Sequence, residues 1–419
     1  MASSGSGYHK KSKLYLALWG AAGVGALALT TQTSNRELAP AKLGSASVFA
    51  TPSAHAATPS EPLVGDVSLR GDIDVARAKR EGNALVVKID RSRSAVLTLD
   101  PAVQKRAEKV LADSEAIEGA VVVMNLEGEL LALAGSTAAK PKARDHSLAL
   151  EVWAPAASIF KIVTSAALLE AGVKASARVC YHGGLRSVES SQLTDNPRLD
   201  RNCGDFEDGL ARSQNAIIAK LATKHLDREA LADAADRLGF ATAPQFALDV
   251  EPNRYQLPTE KLELARVAAG FWSTELSPIG AAIMTASIAN GGVMVTPRVV
   301  RAVRTEAGVQ EVLAVPGQRV LEPEVAATLG AMMEETCESG TARRAFRDAK
   351  GRRFLGGKRV AGKTGSLSIA SPKYRGFSWF VGFAPADKPT HVIAVLLANP
   401  AKWRLKAHTA ARLVLEQVL

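Results

Sequence analysis

A serine and a lysine three residues apart, Ser158 and Lys161, open an otherwise apolar stretch, Ser-Ile-Phe-Lys-Ile-Val-Thr-Ser-Ala-Ala-Leu-Leu-Glu. Whatever fold buries this stretch must also bury an amine, which constrains the chain more than any other feature. The run reads as a helix, and a spacing of three puts both side chains on one face. A serine hydroxyl is a weak nucleophile until a base takes its proton, and a lysine can do so only when neutral. Burial disfavours the ammonium form, so an apolar helix supplies the environment that the geometry needs. Two further polar groups follow in order, Ser213-Gln-Asn215 and Lys363-Thr-Gly365. Each has an ordinary structural reading: Ser158 as a helix cap, Ser213-Gln-Asn215 as a helix start, Lys363-Thr-Gly365 as a strand end and turn.

Ser-x-x-Lys is expected by chance about once or twice in a chain this long, and Lys-Thr-Gly in about one such chain in ten. Their order and context carry more than either alone. The three motifs are those of penicillin-binding proteins and class A β-lactamases, and the chain resembles the transpeptidase domain of the penicillin-binding protein family. The resemblance extends to Leu97-Thr-Leu-Asp-Pro-Ala-Val-Gln, to Gly119-Ala-Val-Val-Val-Met-Asn, and to Leu276-Ser-Pro-Ile, Ala289-Asn-Gly-Gly292 and Trp379-Phe-Val-Gly-Phe-Ala-Pro385. It covers roughly residues 95 to 419. One departure precedes the nucleophile, where Trp153-Ala-Pro-Ala-Ala stands in place of the family's tyrosine and Pro-Gly pair.

The resemblance implies a role for each site residue. Ser158 would attack a carbonyl and become acylated, and Lys161 would take its proton. Ser213 would relay a proton to the departing amine, and Asn215 would hydrogen-bond the substrate backbone. Lys363 would keep the potential positive and attract a carboxylate that Thr364 hydrogen-bonds. Gly365 would let the strand approach the ligand, and the backbone N–H groups of Ser158 and Ser366 would form the oxyanion hole. The implied activity is a serine D,D-transpeptidase acting on peptidoglycan stem peptides, with β-lactams as acylating inhibitors and no cofactor or metal.

Three rival functions share parts of this signal. A D,D-carboxypeptidase would use the same residues with water as acceptor. A class A β-lactamase would need an added glutamate-bearing loop, which has no counterpart here, and class D enzymes carry valine where this chain has Asn215. A non-catalytic β-lactam or cell-wall fragment receptor would need more than a cytoplasmic tail of about 13 residues.

The N-terminal part reads separately. His9, Lys10, Lys11 and Lys13 precede an uncharged run from Leu14 to Thr31. A basic flank before an apolar segment marks an exported chain with its start in the cytoplasm. We expect residues 1–31 to be a short tail and a single-pass anchor in the cytoplasmic membrane, with the catalytic part on the periplasmic side. A signal peptide cleaved at Ala26-Leu-Ala28 is the rival. Residues 32–62, rich in Ser, Thr, Ala and Pro, read as a flexible tether. Residues 63–95 hold a small strand region and 96–419 the transpeptidase domain, which leaves no room for a glycosyltransferase module.

The 47% hydrophobic and 22% charged content is that of a globular chain. The net charge of +10 comes from dispersed residues with few aromatics among them, which argues against nucleic acid. Outside the cytoplasm Cys180 and Cys203 could close a loop of about two dozen residues, with free thiols as the other reading, and Cys337 would stay unpaired. No Cys/His spacing resembles a zinc site.

The remaining elements follow from local pattern. Asp100-Pro101 starts a helix reaching Leu111. Apolar runs at 120–124 and 130–134 flank Glu127-Gly128 as a β-hairpin. Residues 158–289 read as mostly helical, and 174–209 as an irregular surface loop. Strands return at Arg359-Val-Ala, 377–383 and 391–397, before a helix over 406–418. Strands at both ends with helices between predict an α/β (α+β) fold: an antiparallel β-sheet covered by helices, with an inserted helical subdomain.

Overall fold

The computed structural model describes residues 61–139, 146–185, 187–370 and 373–419. The chain divides into Met1–His55 and Ala56–Leu419, and the described residues all lie in the second part. The tail, anchor and most of the tether expected above lie outside the described residues. Among the described residues no helix is long and apolar enough to cross a membrane.

A five-stranded antiparallel sheet organises the molecule, in the order Ala361–Ile369, Arg375–Ala384, His391–Asn399, Glu118–Asn125, Leu130–Thr137. Its central strands are near-continuous apolar runs because both faces are covered. Val121, Val123, Ile393, Val395 and Leu397 face a core formed with Pro101–Ser114 and Ala407–Leu415. Val122, Met124, Val392, Ala394 and Leu396 face the larger core, which includes the wholly buried helix Pro278–Ala289. The result is helices, sheet, helices, and the expected fold class holds.

Local chemistry sets the boundaries. Asp100 caps the first helix by accepting from the amides of Ala102 and Val103, with Pro101 at its first turn. Val123 and Met124 shift register in the hairpin that runs from Glu118 to Thr137. The last strand group begins at Ala361 rather than Arg359 and carries Lys363-Thr-Gly365 inside it.

A second, six-stranded sheet joins Leu63–Val64, Lys79–Glu81, Ala84–Lys88 and Ser94–Leu97 to Val300–Thr305 and Gly308–Leu313. The buried Asp66 carboxylate fastens it by accepting from the amides of Val299 (2.7 Å), Val300 and Ala247 (both 2.9 Å). The stretch 174–209 is not irregular throughout. Arg178–Tyr181 pairs antiparallel with Asn202–Asp205, and Cys180 is bonded to Cys203 across the pair. Cys337 is a buried free thiol.

Candidate active site

The strand Ala361–Ile369 lies at one edge of the five-stranded sheet, so one row of its backbone groups has no strand partner. The nucleophile turn sits against it. Ser158 is not on the long helix expected from spacing: it occupies a 3₁₀ turn, Ala157–Ile159, and Lys161 is the first residue of the α-helix Lys161–Glu170. Ala157 is held at φ +50°, a left-handed conformation unusual outside glycine. Two glycines make room for this turn. A Cβ on Gly270 would lie 2.4 Å from the Ala157 carbonyl oxygen, and one on Gly365 would press on Ile159 at 3.2 Å. Trp379, fully buried, donates from Nε1 to the Pro155 carbonyl at 2.9 Å and ties the sheet to the segment before the nucleophile.

Lys161 is fully buried. Its Nζ lies 2.9 Å from Ser158 Oγ, 2.7 Å from Asn215 Oδ1 and 2.5 Å from the Ala269 carbonyl oxygen. No carboxylate is among these partners. Burial first, and then the charge of Lys363, push the amine well below the ordinary lysine range. A neutral amine has two hydrogens and one lone pair. The Asn215 and Ala269 oxygens can only accept, so they take both hydrogens, and the lone pair is left for the Ser158 hydroxyl to donate into.

Asn215 opens the helix Asn215–His225, and Ser213 stands just before it at φ +55°. Ser213 and Asn215 line the same cleft as Ser158, a space of about 880 Å³. Lys363 is fully buried and donates to the Thr364 carbonyl at 2.8 Å, and burial lowers its amine to about 7. Thr364 and the exposed Ser366 line the cleft, whereas Gly365 faces the nucleophile turn. All eight residues singled out from the sequence therefore converge on one cleft or directly behind it.

Several others escaped the sequence reading. The Ala269 carbonyl and Gly270 follow the helix Lys261–Ala268, more than 100 residues from Ser158. Thr341 brings its Oγ1 to 2.5 Å from that of Thr364, and its amide donates to the Ala211 carbonyl at 3.1 Å. Trp272, 54% exposed, forms part of the wall, as do Lys406 and His408. Burial, with Lys406 second, brings the His408 imidazole down to about 4.

Comparison with known proteins agrees with this geometry. A family model described as the penicillin-binding protein transpeptidase domain matches residues 119–418. Among curated relatives, the peptidoglycan D,D-transpeptidase PbpA of Mycobacterium tuberculosis is 25% identical over 59% of this chain and 50% of its own length. Stage V sporulation protein D of Bacillus subtilis is 28% identical over 73% of this chain and 49% of its own. The chain thus spans about half the length of these relatives. Among solved structures, penicillin-binding protein A from M. tuberculosis, as its imipenem acyl-enzyme complex, superposes with a TM-score of 0.66 at 22% identity, covering 77% of this chain and 78% of that one. The transpeptidase domain of Burkholderia pseudomallei penicillin-binding protein 3 gives 0.61 at 22% identity, covering 77% and 95%. At that identity the likeness establishes the fold. With the family model spanning well over half of the chain, this protein belongs to the penicillin-binding protein transpeptidase domain family.

Proposed function

We propose that the chain is a serine D,D-transpeptidase that cross-links peptidoglycan stem peptides through an acyl-enzyme on Ser158, and that β-lactams acylate the same residue. The observation that carries this reading is the Lys161 amine, buried, without a counter-charge and 2.9 Å from the Ser158 hydroxyl.

Lys161 takes the hydroxyl proton as Ser158 Oγ attacks the carbonyl of the penultimate D-alanine. Backbone N–H groups of Ser158 and Ser366 hold the oxyanion, each worth about 3 kcal/mol of barrier. Ser213 passes a proton to the nitrogen of the terminal D-alanine, which departs. Lys363 and Thr364 hold its carboxylate, and Asn215 bonds the peptide backbone. An amine from a second stem peptide then attacks the ester and frees Ser158. The relatives named as D,D-transpeptidases support this assignment, as does the fold shared with a protein solved as a β-lactam acyl-enzyme.

We further propose that residues 1–31 anchor the chain in the cytoplasmic membrane and that 32–62 tether the catalytic part outside it. The bonded pair Cys180 and Cys203 supports an oxidising compartment.

Two measurements test the assignment. Labelled penicillin should mark the wild type and not Ser158→Ala, and an unmarked wild type defeats the catalytic reading. A pentapeptide donor with and without an amine acceptor then separates transfer from hydrolysis. Cross-linked product should dominate when acceptor is present, and release of D-alanine into free tetrapeptide alone would make the enzyme a carboxypeptidase.

A further inference from the structure

If the terminal D-alanine lies beside Ser213, Lys363 and Thr364, the acyl donor runs the other way along the edge strand, past Ser366 toward Ser368. That end of the cleft has its own chemistry. Ser366 pairs with Ser378 on the neighbouring strand, and Lys406 and His408 complete the wall there. Side chains on a strand alternate between faces, so Ser366 and Ser368 present hydroxyls to the same side.

Lys406 immediately precedes the C-terminal helix Ala407–Leu415 and is exposed. Among the described residues it has neither a carboxylate partner nor a hydrogen-bond acceptor. Its neighbour Arg404 differs, being paired with Glu115. His408 lacks a hydrogen-bond partner among the described residues as well. Among the described residues no aspartate or glutamate lines the cleft. An unpaired cation, an unbonded imidazole and two hydroxyls, in a cleft whose described lining holds no acid, suit an anion and disfavour a second ammonium.

We propose that Lys406 and His408 form a receptor for a carboxylate on the donor side chain. The enzyme then selects stem peptides whose diamino acid carries a free side-chain carboxylate over those with the amidated form or with lysine. The inference rests on the acyl-transfer reading above, which fixes the direction of the donor. It names the substrate class that the reading leaves open. A charge-assisted contact at a partly open site corresponds to about a tenfold preference.

The test uses the full chain, an amine acceptor and three pentapeptides ending in D-Ala-D-Ala. They differ at the third residue only: a diamino diacid, its side-chain amide, or lysine. Release of D-alanine gives kcat/KM for each, and labelled penicillin reports the state of Ser158. The wild type should favour the diacid about tenfold over the amide, and lysine should be poorest. Lys406→Glu should invert the order so that the lysine donor becomes the best, a gain that misfolding cannot produce. Lys402→Glu makes the same charge change off the cleft and should leave the order unaltered. Equal use of the three donors, or an unchanged order in Lys406→Glu, with penicillin labelling intact, overturns this inference alone. An unlabelled wild type overturns the acyl-transfer reading and this inference with it.

Discussion

Lys161 and Lys220 are both buried amines on short helices of the helical region, and their surroundings have opposite electrostatics. Lys161 is fully buried, and its three partners are a hydroxyl, an amide oxygen and a carbonyl. Lys220 is 5% exposed and meets Asp200 at 2.6 Å, Asp195 at 3.3 Å and the Cys180 carbonyl at 2.8 Å. Burial pushes the Asp200 carboxyl up, yet the Asn196 amide, His182 and Lys220 together hold it down at about 2. Burial disfavours the ammonium form of Lys161, which has no carboxylate among its partners, whereas Lys220 is held between two aspartates. The difference teaches that burial makes a lysine a base only where the fold withholds a carboxylate. One lysine holds the Cys180–Cys203 segment onto its helix, and the other lies against the proposed nucleophile.

Substitutions can break or sharpen that contrast. Lys161→Met removes the base with little change of volume, so penicillin acylation should fall by about 10³- to 10⁴-fold. Thermal stability should hold or rise, because a desolvated amine is gone. Lys220→Met should do the reverse. Asp200 is left buried without its cation, at a cost of about 3–5 kcal/mol in denaturant unfolding, while the acylation rate of the folded fraction stays within about tenfold. Replacing Cys180 and Cys203 together by serine frees a loop with a sequence separation of 23. It should lower stability by about 3 kcal/mol, again with little effect on acylation. The finest cut is Asn215→Asp, which gives Lys161 the carboxylate it lacks at nearly unchanged geometry. The ammonium form is then held, and acylation at neutral pH should fall about 100-fold, equivalent to about two units of pKa. An Asn215→Asp enzyme as fast as wild type would show that the charge state of Lys161 does not govern the rate.

Much of the site was legible because its motifs are local. Ser158 with Lys161, Ser213 with Asn215, and Lys363 with Thr364 and Gly365 each lie within a few residues, and their order placed them together. The sheet was legible for a related reason: strands buried on both faces, such as Val392 to Ala398, leave apolar runs that few other elements produce. What the sequence hid depends on tertiary contact. Nothing around Ala269 marks its carbonyl as a partner for an amine 108 residues earlier. Thr341, Lys406 and His408 read as ordinary surface positions until the edge strand brings them to the cleft. The Arg178–Tyr181 pairing was missed because it joins two four-residue strands set far apart in sequence, and the second, Asn202–Asp205, is mostly polar. The 3₁₀ turn at Ser158 was read as α-helix because the two share nearly the same spacing, and only the packing of Gly270 against Ala157 distinguishes them.

The pH dependence of penicillin acylation, as the second-order rate constant of the wild type, addresses the neutral amine most directly. Because burial and then Lys363 hold the Lys161 value well below the ordinary lysine range, the rate rises as pH climbs through that lowered value and levels off well short of pH 10. Above about 7 Lys363 sheds its own proton, and attraction for the drug's carboxylate declines. The expected profile stops rising before the ordinary lysine range, with the loss of the Lys363 charge above about 7 opposing any further gain. A rate still climbing toward pH 10, where an ordinary lysine titrates, would mean that Lys161 rests charged at neutral pH, and the account of a base kept neutral by burial would be wrong.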